Sequence, residues 1–264
     1  MKPKKKPTLR VTPKGGSKRK AAARKKTRKR SSWTIRLFTV ALLAILAGII
    51  YILFSGREGH RGIDVSHHQG VIDWQKVGEK ADLEFAFLKA TEGMDLNDDR
   101  FTYNLHGARN ANLKVGAYHF FLPNVDGLLQ FNHFYRIVGK DIDLKPVLDL
   151  EPAPHRTIMD EDYKKQVKLF IDACLRQYGT YPIVYASPSF IKDHHLTETI
   201  QNCPYWLAWY PLLPDAIAAH RRFLMTRYPG TQAIAWQFAS DGSHAGIKGD
   251  VDLDVCWEMA SIEL

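Results

Sequence analysis

A chain of 264 residues with 45% hydrophobic and 11% aromatic content is long enough to bury a sizeable core, which excludes a disordered or fibrous protein. Its formal charge of +9 suggests an anionic partner, but residues 1–36 hold 16 of the 37 Lys and Arg and none of the 28 Asp and Glu. The rest of the chain is therefore acidic, and the basicity belongs to a tail.

Residues 1–33 include Lys4-Lys5-Lys6, Lys18-Arg19-Lys20 and a basic run from Arg24 to Arg30. They have little apolar surface to bury and read as a disordered, solvated arm. The segment 34–55 follows, apolar from Leu37 to Phe54 apart from mild interruptions at Thr39, Gly48 and Tyr51. About 20 apolar residues cross a bilayer as a helix, so a transmembrane helix is expected there. Positive charge on its N-terminal flank places the arm in the cytoplasm and residues 56–264 on the extracytoplasmic side. A cleavable signal peptide shares this order of charges, but Leu53-Phe54-Ser55-Gly56 is a poor small-x-small cleavage site. An uncleaved, single-pass signal anchor is the expectation. Anionic lipid headgroups, not nucleic acid, are the expected partner of the arm, because a nucleic-acid reading leaves the apolar span unexplained.

From Gly62 onward, β-branched and aromatic runs alternate with helical periodicity, which predicts α/β architecture with a mainly parallel sheet. Eight strands are predicted: Gly62–Ser66, Phe85–Ala90, Val115–Phe121, Pro146–Glu151, Tyr181–Ser187, Tyr205–Tyr210, Ala233–Ala239 and Val251–Cys256. Eight strands in this length suit an irregular TIM-like β/α barrel. Helices are predicted over Asp98–Asn112 and Val125–Gly139. The clearest runs from an N-cap at Asp160 to a stop at Gly179, with Tyr163, Val167, Phe170, Ile171, Cys174, Leu175 and Tyr178 on one stripe. Between Tyr205 and Cys256 little helical pattern is visible. Cys174, Cys203 and Cys256 form no C-x-x-C pair and imply neither a zinc site nor a disulfide framework.

The stretch Lys145-Pro146-Val147-Leu148-Asp149-Leu150-Glu151-Pro152 carries the most chemistry. In an extended strand, Asp149 and Glu151 share a face about 6 to 7 Å apart, while Leu148 and Leu150 face the other way. Parallel barrels build active sites at the C-terminal ends of their strands, where this pair falls. Close carboxyls titrate together and one tends to keep its proton, so an acid and an anion coexist, as glycosidic cleavage requires. Ordinary polar alternation on a half-solvated strand is the competing reading of the pair alone.

Asp64 on the first strand can approach the same pair if both strand ends open on one face. In Asp250-Val251-Asp252-Leu253-Asp254, either Asp252 or Asp254 could join them, with calcium binding as a weaker alternative. The adjacent His67 and His68 diverge and have no third ligand, so no metal site is expected. Rings near predicted strand ends, among them Tyr118, Tyr185, Trp206 and Trp236, are candidates for substrate binding because flat rings stack on sugar faces. Core packing is the alternative for each ring taken singly.

Six blocks in order carry a resemblance. They are Gly62-Ile63-Asp64-Val65-Ser66-His67-His68-Gln69-Gly70, then Ile72-Asp73-Trp74, Phe87-Leu88-Lys89-Ala90-Thr91-Glu92-Gly93, Gly116-Ala117-Tyr118-His119-Phe120, Asp149-Leu150-Glu151, and Trp236-Gln237. From about Gly62 to Trp257 the chain resembles the Chalaropsis-type lysozymes, the family-25 glycoside hydrolases. The resemblance implies an irregular β/α barrel that cleaves the β-1,4 bond between N-acetylmuramic acid and N-acetylglucosamine in peptidoglycan without metal or organic cofactor. It puts the acid proton donor on Glu151. Asp149 matches the carboxylate assisting the N-acetyl group or the developing cation, Asp64 the first-strand acid, and Asp252 the acid of the closing strand. Tyr118, Tyr185 and Trp206 match positions lining the groove. Where the family commonly reads Asp-x-Asn, this chain has Asp252-Leu253-Asp254, a departure that leaves the role of this last pair open. A non-catalytic peptidoglycan-binding or scaffold protein is the alternative, and a chitinase-like run fails because Val147 occupies its first acidic position.

Overall fold

The computed structural model describes residues 33–49, 59–212, 217–227 and 233–264, and the chain divides into two units, Met1–Ser55 and Gly56–Leu264. In the first, helix α1 (33–49) leaves Phe38, Leu42, Leu43 and Ile45 exposed. The basic arm over 1–32 and the end of the expected span, 50–55, lie outside the described residues. The described part of that span stops short of the about 20 residues a crossing needs, and among the described residues no helix is long and apolar enough to cross a membrane. The membrane-spanning part of the expected fold therefore lacks structural support.

The second unit is a barrel. Its elements in chain order are β1 (His60–Val65), α2 (Trp74–Lys80), β2 (Phe85–Glu92), β3 (Leu96–Asn97), α3 (Phe101–Asn110), β4 (Lys114–Phe120), α4 (Gly127–Val138) and β5 (Val147–Asp149). There follow α5 (Asp160–Tyr178), β6 (Ile183–Ala186), α6 (Pro188–Asp193), α7 (Thr197–Ile200), β7 (Tyr205–Ala208), α8 (Ile217–Arg227), β8 (Ala233–Gly242), β9 (Val251–Cys256) and α9 (Met259–Ile262). The sheet order is β1-β9-β8-β7-β6-β5-β4-β2-β3, and β1 also pairs with β2, which closes eight strands on themselves. All eight predicted strands are present. β5 is the shortest of them because Pro146 and Pro152, which lack an N–H for the ladder, bracket it.

Period-two alternation sorts the side chains into two layers. Inside the barrel, Phe85, Phe87, Val147, Ile183, Trp206, Ala235 and Cys256 pack with Leu144 and with Ile262 of α9. Outside, Ile63, Val65, Leu88, Val115, Leu148, Val184, Leu207 and Trp236 pack under the helices. Glycine makes room for the inner rings: a Cβ at Gly62 would collide with the ring of Phe85, and one at Gly116 with the ring of Phe87.

Three details depart from expectation. β9 runs antiparallel to both neighbours, β1 and β8. The short loop between β8 and β9 has no room for the crossover helix that a parallel return needs. Met159, not Asp160, occupies the N-cap position of α5 and makes no side-chain cap, while the Asp160 carboxylate accepts from His194 Nδ1 at 2.7 Å. Helix α8 lies in the stretch expected to lack one. Its Ala, Arg, Leu and Met content favours helix, but the residues form no apolar stripe for periodicity to detect.

Candidate active site

All eight barrel strands contribute to a single cleft of about 280 Å³: Asp64 from β1, Lys89 from β2, Tyr118 and Phe120 from β4, Asp149 from β5, Tyr185 from β6, Trp206 from β7, Gln237 from β8 and Asp252 from β9. The cleft lies at the C-terminal ends of the parallel strands, where the loops add Ser66, His68, Gln69, Glu151 and Tyr210. Ser66 shapes the first loop by a reciprocal cap. Its hydroxyl accepts from His68 N, and Ser66 N donates to Gln69 Oε1 at 2.9 Å. His67 Nδ1 sits 2.7 Å from Asp98 Oδ2, yet the His67 and His68 rings lie with centroids 4.1 Å apart, so the adjacent histidines do not diverge as expected.

Asp149 and Glu151 line this cleft together, while Leu148 and Leu150 are buried in the outer layer. The backbone holds the pair in register: Phe121 N donates to Asp149 O at 3.0 Å, and Leu150 N donates to Tyr185 O at 2.9 Å. Asp149 is 5% exposed, and its Oδ1 is buried without a hydrogen-bond partner. Burial, then the charges of Glu151 and Asp64, hold its pKa well above the usual carboxylate range, against the pull of the Lys89 ammonium. Glu151 is less enclosed. Burial raises its pKa too, opposed by Lys89. Lys89 itself pairs with Glu92 at 2.7 Å and lies over the Phe120 ring.

Asp64 is fixed by an amide. Gln237 Nε2 donates to Asp64 Oδ2 at 2.6 Å, and Gln237 Oε1 accepts the hydroxyls of Tyr185 at 2.7 Å and Tyr210 at 2.5 Å. The two hydroxyls occupy the carbonyl, which leaves the NH2 for the carboxylate. Even so, burial and then the Asp252 charge raise the pKa of Asp64 well above normal. Asp252, opposite Asp64 in the β1–β9 register, is pushed up to about 6 by burial and then by Glu151. Asp254 lies below the cleft, fully buried, accepting from Trp206 Nε1 at 3.0 Å.

A raised carboxyl stabilises the fold fully below its unfolded pKa and loses that contribution as pH rises through its folded pKa. Asp252→Asn, which does not ionise, is therefore expected to melt above the wild type at pH 7. The gap should shrink as pH falls from about 6 and vanish below about 4. Thermal unfolding followed by circular dichroism across that window measures this, and a constant gap at all pH values would contradict the assignment.

Tyr118, Tyr185 and Trp206 line the cleft as expected of groove positions, and Trp206 forms part of its floor, 2% exposed and 4.7 Å from the Phe87 ring. Trp236 does not join them. It sits on the outward parity of β8, fully buried against Trp209 and Trp257, with its Nε1 donating to Trp209 O at 2.7 Å. The next residue, Gln237, takes the inward position. Both faces of the strand are buried, so parity alone did not reveal which one meets the cleft. Trp236→Phe should cost stability, by about 1–3 kcal/mol through an unsatisfied carbonyl and lost packing, while any kcat and KM supported by the cleft stay unchanged in the folded protein. A raised KM in melting-controlled assays would return Trp236 to the cleft. Tyr210 is one of the rings near predicted strand ends, whereas Lys89 and Gln237 are cleft residues that sequence reasoning missed. Both lie inside the resemblance blocks, which is the signal that could have found them.

A family model described as glycosyl hydrolases family 25 matches residues 63–247. Lysozyme M1 of Streptomyces globisporus is 31% identical over 207 residues, covering 74% of this chain and 67% of that protein. A bacterial lysozyme from Streptomyces coelicolor superposes with a TM-score of 0.66 at 27% identity, over 78% of this chain and 95% of that one. A family 25 glycosyl hydrolase from Bacillus anthracis matches with a TM-score of 0.63 at 30% identity, over 76% of this chain and 90% of that one.

Proposed function

We propose a division of labour among the cleft carboxyls that proceeds from one fact: the chain belongs to glycosyl hydrolase family 25 and is a muramidase, a glycoside hydrolase acting on peptidoglycan. The bond cut is the β-1,4 linkage between N-acetylmuramic acid and N-acetylglucosamine. Glu151 is the general acid. It gives its proton to the leaving glycosidic oxygen as the C1–O bond breaks, and water supplies the hydroxyl that ends on C1 and the proton that restores the acid. Asp149 stabilises the positive charge that develops at the sugar, directly or through the N-acetyl group. A buried carboxylate opposite a nascent cation, with little water to screen it, makes its strongest interaction in the transition state.

The observation that carries this reading is the meeting of Asp149 and Glu151 in one cleft, with both pKa values raised. The family match carries the assignment of roles, since Glu151 falls on the position of the acid and Asp149 on that of the assisting carboxylate. Glu151 stands nearer solvent, from which its proton is replaced, and Asp149 lies deeper. Asp64 and Asp252 hold the sugar's polar groups and shape the field. The rings of Tyr118, Tyr185 and Trp206 form the walls and floor against which it rests. A scaffold that binds wall without cutting it has no observation in its favour. A zymogram on purified wall with the full-length chain separates the two: release of soluble muropeptides is expected, and sedimentation with intact wall without release would contradict hydrolysis.

The cleft faces the cell wall if the apolar run over 34–55 anchors the chain, with the basic arm against anionic headgroups in the cytoplasm. The charge asymmetry of residues 1–36 supports this placement. Protease added outside intact cells should then remove the barrel and spare the arm, and the reverse pattern would contradict it.

A further inference from the structure

Two acids, Asp64 in the cleft and Asp254 beneath it, stand on the paired strands β1 and β9 where only one charge is tolerable. Asp254 is completely buried on β9, with Oδ1 accepting from Trp206 Nε1 at 3.0 Å of β7 and Oδ2 receiving no donor. Asp64 is its diagonal neighbour on the paired strand β1, where Asp254 stands opposite Gly62 and Asp64 opposite Asp252, which brings the two carboxyls within reach of each other. Two carboxylates are both acceptors, so their contact becomes a hydrogen bond only when one of them carries a proton. The groups facing Asp254 are Asp64 on β1, Asp252 on its own strand, the Trp206 indole on β7 and Gln237, its register partner on β8.

We propose that Asp254 holds a proton and donates it to Asp64, so that a neutral acid under the cleft floor orients the charged acid above it. Asp64 is the better place for the charge, because the Gln237 amide, locked by Tyr185 and Tyr210, donates to it and because it opens on the cleft. Asp254, with no exposed surface, is the costlier of the two to ionise, and burial followed by the Asp64 charge raises its pKa. A protonated Asp presents one acceptor and one donor in the plane of the group, as an Asn does. The departure from Asp-x-Asn at this position is thus chemically conservative while the proton stays. Asp254 is a positioning residue, and the inference rests on the cleft reading of Asp64.

Infrared spectroscopy of the full-length chain in deuterated buffer at neutral pH reads the proton directly, without substrate, so failure of the muramidase assignment leaves this measurement unaffected. Asp254→Asn should lose one protonated-carboxyl carbonyl band relative to the wild type. Its turnover should stay within about threefold, while Asp254→Ala falls about tenfold or more in kcat with KM little changed, as expected for one lost orienting hydrogen bond. An unchanged carboxyl band in Asp254→Asn overturns the proposal, and so does an Asn variant as slow as the Ala variant. If the Ala variant does not fold, the band and turnover of the Asn variant decide.

Discussion

Glu151→Gln is expected to lower kcat on peptidoglycan by a factor between about 10² and 10⁴, the usual contribution of a general acid, with the circular dichroism spectrum and melting temperature close to the wild type. Gln keeps the size of the side chain and its place in the cleft but has no proton to give to the departing oxygen. KM should change little, because the lost interaction belongs to the transition state. Substrates whose leaving group departs without protonation, such as an activated aryl glycoside of the same sugar, should recover most of the loss. Undiminished turnover in a folded Glu151→Gln protein would remove Glu151 from the reaction.

The second large effect is expected from Asp149→Asn, a loss of about 10²–10³ in kcat, comparable to removing one preorganised electrostatic partner of the transition state. This variant should be slower and more stable at once. Its folded pKa is raised above the unfolded value, so the carboxyl's stabilising contribution is complete at low pH and lost as pH climbs through the folded value. Asn does not ionise, so the variant should melt higher than the wild type at neutral pH, with the advantage disappearing below about pH 4. A buried oxygen without a partner, Asp149 Oδ1, is where that cost is stored. The site trades stability for a charge that only the reacting sugar satisfies.

Much of this arrangement was legible in the chain itself, for identifiable reasons. The Asp149-Leu150-Glu151 run could be read because alternation around two leucines leaves the carboxyls a single common face, and leucine and carboxylate differ enough in hydropathy to tell the faces apart. Helix α5 was readable from Tyr163, Val167, Phe170, Ile171 and Cys174, which are all buried as the stripe requires. Trp236 and Gln237 were harder. Both sides of β8 are buried, so hydrophobicity does not separate cleft from core, and the aromatic residue took the core side. The Asp64–Gln237–Tyr185–Tyr210 chain joins residues up to 173 positions apart, a juxtaposition created by barrel closure and invisible to local pattern. The antiparallel β9 was hidden for a similar reason, since strand direction follows from the length of the connection more than from the strand's own letters.

The most direct test is the identity of the new reducing end. Full-length protein incubated with defined peptidoglycan, followed by borohydride reduction and mass spectrometry of the soluble fragments, should yield N-acetylmuramitol at every cut, with the Glu151→Gln protein giving almost none. Fragments ending in N-acetylglucosaminitol, or equal product from the variant, would contradict a cleft in which Glu151 protonates the oxygen leaving muramic acid.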